Sequence, residues 1–481
     1  MRVDQKISFV HFTLPFLFEP SEFERRKDAF EKASMKTKGG QTCPVWEKTR
    51  FPSDDLLEHV RNYLNPPEGK PATAHLWKLN DDFQDVFGLG NRADWFLTNT
   101  ERRIQIPFQF GELGKGTFAV QLSLFRVGVG FVTVRLKVKS EKVDDWLNFL
   151  DDFRFAKGQR GAFVRAEKRT GFDQSTRQPT ISPFFPEPAL QRGETFGDKH
   201  EFFAILEALL RTGSFDGEED WWREVFVRYQ LIPYAALFIN EANERDIPEL
   251  LYRVRNFFAA YREINPSDDD LRLDHPALLP YAKNQWFICT LEGGAFVAFN
   301  APQTEFFRTE LPNRLKEQYF LLFLLAQHQR FALIRLSQEV SEHWLRGSEK
   351  ERVKIFEQIR NDLLEFTARG YFSQVMQRER HHRCYRKWQE VLMVEQLYQE
   401  VSNEVREMHE ILQSRRSQRL EERINLLTAF FAVPALVLSF LSINLYGVTA
   451  REEGLSLLTA LGITVASFLF GGLVWLWLKS H

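Results

Sequence analysis

Apolar and polar positions alternate through much of the first third of the chain, which is typical of strands in a half-buried sheet. Segments 104–110, 117–125 and 129–138 are rich in β-branched and aromatic residues, and a short turn at 126–128 joins the last two. A stretch with helical spacing follows at 141–153. The pattern therefore predicts that the chain begins with a domain that mixes sheet and helix.

Changes in amino-acid composition suggest how the chain is divided between the first domain and the long helices that begin at residue 311. Residues 157–192 turn polar and carry several Gly and Pro residues, so we expect a linker or surface excursion there. It separates an N-terminal α/β domain, residues 1–156, from a second α/β part of the same cytosolic domain, residues 193–310. The elements predicted in the second part are a helix near 199–211, a strand around 229–239, a helix over 248–262 and a hairpin over 286–299.

Long helices are predicted over residues 311–423. The helix expected at 315–344 has an apolar centre at 319–325, which is too short to cross a bilayer and is interpreted as buried. Between Gly370 and Pro434 the sequence contains neither Gly nor Pro. A helix that used this whole stretch would be longer than a single domain.

Part of this helical region has the apolar spacing of a coiled coil. Positions alternating by three and four residues form one seam: Val391, Val394, Tyr398, Val401, Val405, Met408 and Leu412. Such a seam favours self-association of the chain into a homo-oligomer. The alternative is an amphipathic helix that lies on its own globular domain.

The chain ends in two apolar stretches, 424–450 and 454–478, each of which is long enough for a transmembrane helix. They predict a C-terminal transmembrane hairpin with a first span at 424–446, an outer loop at 447–456 and a second span at 457–478. The basic residues flanking the hairpin place both termini in the cytoplasm. The predicted fold is thus an α+β cytosolic domain, long stalk helices and this hairpin, in a multi-pass protein of the inner (plasma) membrane with the lipid bilayer as a partner.

Small and polar residues form a stripe along the first predicted span. Its members also follow each other by threes and fours: Asn425, Thr428, Ala432, Ala435, Ser439, Ser442, Tyr446 and Thr449. Hydroxyl and amide groups are costly against lipid, so the stripe is predicted to line a water-filled pore in an oligomer. Close packing against a neighbouring helix is the alternative interpretation.

A cluster of basic residues precedes this span and has two interpretations. Its members are Arg415, Arg416, Arg419 and Arg423. They form either a collar that contacts lipid phosphates or a cationic ring at the inner mouth of the pore.

A second basic segment, 378–386, contains His381, His382 and Cys384. We interpret it as a solvated basic face, with an anion or nucleotide phosphate bound between subunits as the alternative.

Charge and cysteine content narrow the possible partners. The chain has 63 basic and 65 acidic residues, which gives no sign of a nucleic-acid-binding surface and predicts no such partner. Cys43, Cys289 and Cys384 lie far apart in the sequence, fit no paired zinc spacing and agree with a reducing compartment. The densest acidic run, 268–270 with Asp274, is either a cation site or a solvated loop. No metal ligand set is assigned.

The C-terminal quarter, about 370–481, resembles the CorA family of divalent-cation channels. The resemblance rests on a long helix that enters the first of two C-terminal spans and on an aromatic-Gly element, Tyr446-Gly447-Val448-Thr449, at the outer end. In that family the element is Tyr-Gly-Met-Asn, five subunits form a funnel, and the signature binds hydrated magnesium. The resemblance implies a homopentamer in which residues 446–449 are the selectivity signature. Val and Thr replace Met and Asn, which removes the amide that would contact the hydrated ion.

Three functional hypotheses follow. The first is a CorA-like homo-oligomeric membrane channel or transporter for divalent cations such as Mg²⁺, gated by its cytosolic domain. The second, which the resemblance also implies because some CorA-like proteins with enlarged cytosolic domains accompany such systems, is a membrane effector of a bacterial antiviral system of the type III CRISPR kind, opened by a signalling nucleotide. The third is a membrane-anchored scaffold without transport. No nucleophile–base grouping is evident, so we do not expect an enzyme. We expect no covalent cofactor; Mg²⁺ and a signalling nucleotide are the candidate ligands.

Overall fold

The computed structural model describes two compact units. The described residues are 1–36, 42–81, 94–111, 119–155, 162–173, 178–183, 206, 209–213, 230–344, 349–448, 462, 465, 466, 469 and 472. The first unit consists of Met1–Glu342 and Ile359–Val401, and the second consists of His343–Gln358 and Ser402–His481.

Strands dominate the first unit. Those in the described residues are β1 Arg2–Val3, β2 Phe9–Leu17, β3 Ser34–Lys36, β4 Thr42–Pro44, β5 Trp46–Thr49, β6 Ala74–Leu79, β7 Asp94–Asn99, β8 Ile104–Phe110, β9 Val120–Phe125, β10 Val129–Val138, β11 Ala162–Asp173, β12 Gln178–Pro183, β13 Ile232–Asn240, β14 Leu278–Ala282, β15 Gln285–Thr290 and β16 Gly293–Phe299. The helices are α1 Phe23–Lys32, α2 Glu58–Leu64, α3 Val143–Phe153, α4 Ile247–Arg255, α5 Leu311–Arg314, α6 Phe320–Trp344, α7 Glu349–Glu365, α8 Glu379–Val391 and α9 Val394–Val448.

All strands except β3 and β4 join one mixed sheet. Its main order is β12-β11-β7-β8-β10-β2-β13-β16-β15-β14. The sheet forks at β10, which pairs with β2 on one side and with both β9 and β8 on the other. Strands β9 and β10 form a hairpin as predicted, and Gly128 in its turn has a φ of +83°. Glycine adopts this left-handed conformation without the clash that a Cβ would cause.

Helices cover both faces of the sheet at its centre. On β2, Phe12 points to α3, where its ring centroid lies 4.7 Å from that of Phe153. The preceding residue, His11, contacts Phe320 of α6 at 4.8 Å, because successive side chains of a strand point to opposite faces. All nine residues of β2 are therefore buried. The predicted α+β domain is confirmed, with its core in two layers around the sheet.

The chain enters α6 through irregular helical turns. Two five-residue π-helical segments, Phe306–Glu310 and Leu315–Tyr319, flank the short helix α5. The apolar centre predicted at 319–325 is buried, as expected for a core helix. Three consecutive polar residues in the middle of α6, residues 327–329, are also fully buried. Such polar groups need partners inside the protein, and the amide of Gln329 donates to the Gly370 carbonyl at 3.0 Å.

The long uninterrupted helix expected after Gly370 is divided in two. Helix α8 ends at Val391 and α9 begins at Val394. Between them Leu392 is fully buried, and Met393 has a φ of +55°. A left-handed residue ends an α-helix without Gly or Pro, so the sequence contains no conventional signal for this break.

The prediction of a C-terminal transmembrane hairpin is wrong. Among the described residues, no helix has the combination of length and apolar sequence that a membrane span requires. The apolar stretch from residue 424 forms the end of the 55-residue α9, where Asn425 and Thr428 interrupt it and Pro434 lies inside the helix. Only five residues of the second predicted span, 457–478, are described. The same finding contradicts the predicted location as a multi-pass protein of the inner membrane.

The apolar seam predicted for self-association is largely buried within one chain. In the first unit Val394 and Val401 have no exposed surface, and in the second unit Val405 and Met408 are each 7% exposed. Also in the second unit, His409 stacks on Phe356 with 5.8 Å between ring centroids. This burial agrees with the alternative of an amphipathic helix lying on its own chain. Self-association stays a prediction.

A candidate ligand pocket beside helix α8

A cavity with a volume of about 910 Å³ lies in the first unit. Its walls come from the end of α3, the end of α4 with the following segment, the turn between β15 and β16, and the last residues of α8. Three arginines line it: Arg154, Arg255 and Arg262. We call this cavity the arginine pocket. Each of the three guanidinium groups is positioned by a carboxylate.

Arg262 is held by the end of helix α3. Its Nε donates to Asp151 Oδ2 at 2.5 Å, and the same carboxylate oxygen accepts the Ala259 backbone N–H at 3.3 Å. The next backbone N–H, that of Ala260, donates to Asn148 Oδ1 at 2.8 Å. Residues 259–262 are thus fixed to α3 by side chains one helical turn apart. This clasp follows directly after Phe257, whose positive φ of 49° ends the preceding turn of helix.

A second carboxylate strengthens this clasp. Asp152 accepts hydrogen bonds from the Tyr261 hydroxyl at 2.7 Å and from Asn99 Nδ2 at 3.0 Å. Burial raises the pKa of Asp152, because desolvation disfavours its charged form more than the two hydrogen bonds favour it. The Tyr261 ring in turn lies 5.0 Å from the Arg102 guanidinium carbon. The segment that carries Arg262 is therefore anchored on both sides.

Arg255 is oriented by the acidic run that the sequence singled out. Its side chain is only 7% exposed, and Nη2 donates to Asp270 Oδ1 at 2.6 Å. The pKa of Asp270 is lowered, first by hydrogen bonds from the Ser267 hydroxyl and backbone N–H and then by Arg255. Asp270 thus has a structural partner inside the chain. Within the described residues no group of three His, Cys, Asp or Glu side chains is arranged to hold a metal ion.

The third arginine lies deepest. Arg154 has a side chain that is 3% exposed and donates to Glu292 Oε2 at 2.6 Å. Its guanidinium carbon also lies 5.0 Å from the centroid of the Phe257 ring and 5.4 Å from that of Phe155. Contact of a guanidinium group with aromatic ring faces is a common arrangement for arginine.

Two residues with reactive side chains line the pocket, and neither is activated. Burial raises the pKa of the Cys289 thiol well above its usual range, so the nucleophilic thiolate is not formed. His275 accepts the Ala277 backbone N–H at its Nδ1 atom, at 3.0 Å. Burial, and then the charge of Arg255, lowers the pKa of His275.

One wall of the pocket is the end of α8. Glu390 and Val391 line the cavity and are the last two residues of that helix before the Leu392–Met393 break. The body of α8 is fixed on the sheet by Trp388, which is fully buried and packs on Phe323 with 4.9 Å between ring centroids. A ligand in the pocket would thus touch the point at which α8 gives way to α9.

The residues predicted to line a pore lie on α9. Those with described side chains are exposed: Asn425, Thr428, Ala432, Ala435 and Ser439. Ser442, Tyr446, Gly447 and Val448 belong to the last turns of α9, and Thr449 lies outside the described residues. The basic residues Arg415, Arg416, Arg419 and Arg423 are also exposed on α9. None of these residues lines the arginine pocket, and their predicted roles stay predictions.

The basic segment at 378–386 has one buried face. His381 is 2% exposed and Cys384 is fully buried, whereas Arg383 is exposed. The His381 ring contacts Tyr319 at 4.6 Å between centroids, and burial lowers its pKa to about 4. The predicted solvated face therefore describes only the arginine side of α8. His381 and Cys384 are core residues.

Sequence reasoning did not find the arginine pocket. Arg154 lies about 100 positions from Arg255 and Arg262, so no local motif connects them. The acidic run that includes Asp270 was a usable signal, because it supplies the partner of Arg255. The clasp on α3, which brings Arg262 to the end of that helix, depends on contacts between residues far apart in the sequence.

Comparisons with known proteins give little further information. No family model matches the chain, and no curated protein matches it. Among solved structures, the CorA magnesium transporter from Methanocaldococcus jannaschii matches with 13% identity over 52% of this chain and 92% of that chain, at a TM-score of 0.19. A TM-score this low carries no argument about fold or function.

Proposed function

We propose that this protein is a ligand-responsive regulatory protein rather than an enzyme, and that the arginine pocket binds a nucleotide. The observation that carries the proposal is the convergence of three arginines and two phenylalanines on one cavity of about 910 Å³. This volume lies within the range of about 300–1,000 Å³ that is usual for small-molecule and cofactor sites. Among the hypotheses drawn from the sequence, it favours a signalling nucleotide as the ligand.

Arg262 is the proposed phosphate ligand. Its Nε is engaged by Asp151, while its two terminal amino groups donate to no residue that the structure describes. Its side chain is 31% exposed, so these groups are accessible from the pocket. Guanidinium groups bind phosphate oxygens through paired hydrogen bonds, and a partner at Nε fixes the orientation of the remaining donors.

Aromatic and acidic residues suit the other end of a nucleotide. Phe155 and Phe258 line the pocket. Each ring has an arginine guanidinium over one face, at 5.4 and 5.6 Å, so a base would stack on the other face. Glu292 and Glu390 add carboxylate oxygens that can accept an exocyclic amino group. Since acidic side chains balance the arginines, a ligand that combines anionic oxygens with N–H donors fits better than a plain polyanion.

The proposed response begins at the end of α8. A ligand that contacts Glu390 or Val391 changes the environment of the residues that end this helix. The left-handed Met393 makes the Leu392–Met393 link a defined bend, and a bend of this kind can absorb a change in helix direction. We expect the ligand to alter the order of residues 388–401, which carry the chain from α8 into α9.

The proposal does not extend to ion transport. Divalent-cation transport was implied by the resemblance to the CorA family, and that resemblance depended on the predicted transmembrane hairpin, which the structure contradicts. The inactive state of Cys289 and the engaged Nδ1 atom of His275 favour binding over catalysis. We therefore expect the purified protein to leave a bound nucleotide chemically unchanged, as measured by chromatography of the ligand after prolonged incubation.

A direct binding measurement tests the proposal. Equilibrium dialysis with ATP, AMP and cyclic oligoadenylates should show binding of at least one of them. Arg262→Met should weaken that binding by about tenfold or more, because it removes charged hydrogen bonds to phosphate. Arg272→Met is the matched control, since Arg272 is exposed, pairs with Asp274 at 2.7 Å and does not line the pocket. Equal weakening by both variants, or no binding at about 1 mM, would refute the proposal.

The response is tested separately by hydrogen exchange. Saturating nucleotide should change amide exchange in peptides that cover 388–401 while leaving those of β2 unchanged. The exchange of the clasp, residues 257–262, should also slow, because the ligand contacts Arg262. A ligand that binds with no change in 388–401 would support the binding site and contradict the regulatory role.

A further inference from the structure

A second cavity of the first unit lies between helix α2 and the chain that follows helix α7. It has a volume of about 380 Å³, within the range of about 300–1,000 Å³ that is usual for small-molecule sites. Its walls come from α2, from the loop at 65–73 and from residues 368–372, which include the end of the π-helical segment Phe366–Gly370. We call it the tyrosine pocket, after Tyr63 and Tyr371. It has no lining residue in common with the arginine pocket.

One wall of the tyrosine pocket is aromatic and is held in place by the chain. Tyr63 is buried, and its hydroxyl lies 3.2 Å from His328 Nε2. The ring of Phe372 packs edge-to-face on that of Tyr63, with 5.2 Å between centroids. The ring of Tyr371 stacks on that of Tyr398 in α9, with 4.8 Å between centroids. Since a neighbour fixes each ring, the wall is preformed, and a ligand that binds there does not have to order it.

The charged lining of the tyrosine pocket is cationic. Lys70 and Arg369 line it, and none of its described lining residues is an aspartate or a glutamate. The arginine pocket differs in this respect, because carboxylates there balance the arginines. An uncompensated positive charge in a concave site attracts anions. The tyrosine pocket therefore favours an anionic ligand.

Both cationic groups are available to a ligand. Lys70 is exposed, and its ammonium group forms no ion pair within the described part of the chain. Arg369 Nη1 lies 3.5 Å from Glu365 Oε1, and the arginine side chain is 52% exposed. Exposed ion pairs of this kind contribute little stability. A ligand carboxylate can thus bind the guanidinium group without the loss of a strong contact.

Helix α2 adds uncharged polar groups to the lining. His59 and Asn62 are three residues apart, so they lie on one face of the helix. The His59 ring contacts that of Phe372, with 5.9 Å between centroids. The Asn62 amide forms no hydrogen bond with any residue that the structure describes. Because an amide both donates and accepts, Asn62 can bind a carboxylate oxygen or a polar substituent of the ligand.

We infer that the tyrosine pocket binds a small carboxylic acid with a flat apolar body. Lys70 and Arg369 bind the carboxylate, Lys70 as a point charge and Arg369 through its N–H groups. The rings of Tyr63, Tyr371 and Phe372 contact the apolar body. A singly charged carboxylate suits this lining better than a doubly charged phosphate, because moving a dianion from water to an aromatic wall costs more. A site of this kind is independent of the nucleotide proposed for the arginine pocket.

Calorimetric titration of the full chain with 3-phenylpropionate tests this inference. The acid should bind with a Kd of about 1 mM or below, as expected for a ligand of its size. Two controls each lack one part of it: 3-phenylpropionamide has no charge, and acetate has no apolar body. Both should bind at least about tenfold more weakly, because each loses one of the two contacts. Phenyl phosphate serves as the dianionic probe, and tighter binding of this probe than of 3-phenylpropionate would contradict the assignment to a carboxylic acid.

Substitutions then locate the site. Lys70→Met and Arg369→Met should each weaken binding of 3-phenylpropionate by about tenfold, as expected for a charged hydrogen bond. Lys283→Met is the matched control, because Lys283 is exposed and does not line the pocket. Circular dichroism confirms that each variant is folded. Absence of binding at about 10 mM, equal binding of the acid and its amide, or equal affinity of Lys70→Met and Lys283→Met would overturn the inference.

Discussion

The attachment of α8 to the sheet depends on the absence of a side chain at Gly294. A Cβ atom built on this residue would lie 2.0 Å from Cη2 and 2.6 Å from Cζ2 of Trp388, and 2.9 Å from the Ile288 carbonyl oxygen. Carbon atoms in contact are normally about 3.5–4.0 Å apart. The indole ring would have to move by about 1.5 Å to accept a methyl group there.

Neither partner has room to move. Gly294 lies in β16, which is paired with β13 on one side and β15 on the other, and Trp388 is fully buried against Phe323. Overpacking a core costs about 1–3 kcal/mol, and this site belongs at the upper end. We therefore expect Gly294→Ala to lower the free energy of unfolding by about 3 kcal/mol. Trp388→Ala should lower it by about 3–5 kcal/mol through loss of burial.

A double-mutant cycle tests the contact itself. In Gly294→Ala/Trp388→Ala the new methyl group occupies space that the indole has left, so the double variant should be no less stable than Trp388→Ala alone. The coupling energy should reach about 3 kcal/mol, at the upper end of the range for residues in contact. Urea unfolding followed by circular dichroism measures all four proteins. Additivity of the two single changes within about 0.5 kcal/mol would refute the contact.

Further predictions concern buried polar groups. Burial lowers the pKa of His75 and His381 to about 4 and that of His328 to about 3, so the unfolded chain binds protons that the folded chain rejects. The contribution of these histidines to the free energy of unfolding should be complete above pH 6.5 and should fall by about 2 kcal/mol per histidine between pH 7 and 5. Urea unfolding at pH 7, 6 and 5 measures this change, and a free energy of unfolding that does not vary with pH would contradict the prediction. Tyr63→Phe removes the hydroxyl that lies 3.2 Å from His328 Nε2 and should lower the free energy of unfolding by about 1–2 kcal/mol in the same assay. An unchanged midpoint of the urea transition would contradict this hydrogen bond. Gln389→Leu removes amide bonds of 3.0 and 2.9 Å to a glutamine and a backbone carbonyl and should cost about 2–3 kcal/mol. Arg383→Leu, on the exposed side of the same helix, should cost less than about 0.5 kcal/mol.

The strands of the first unit were predictable because their signal is local. Segments 104–110 and 129–138 coincide with β8 and β10, and the turn predicted before β10 is present. The π-helical segments and the break before Val394 were not predictable, because their sequences contain ordinary helix formers. There the packing of the sheet decides the backbone, rather than intrinsic propensity.

The apolar C-terminal segment is a case in which the sequence predicted a feature that the described residues do not contain. A run of uncharged residues from 424 onward predicted a membrane span, whereas among the described residues no helix is both long enough and apolar enough to cross a membrane. The arginine pocket could not be derived from local sequence either, since Asp151, Arg154 and Arg262 form one site only after the clasp on α3 has closed. Periodicity identifies which residues are buried, while sites made of charged residues depend on topology.

Helix α8 connects the stability of the fold to the proposed response. At the start of its last turn, Trp388 packs on Gly294, a contact that leaves no free space and holds the helix against the sheet. At its end Glu390 and Val391 face the arginine pocket, which is open enough to accept a ligand. Ligand binding in the pocket cannot move the whole helix without breaking the contact between Trp388 and Gly294. Any movement that the ligand causes must therefore occur in the residues after Trp388. The left-handed Met393 is the first position there that can change direction. Rigid packing at one point of α8 is therefore what would confine a ligand-induced change to the start of α9.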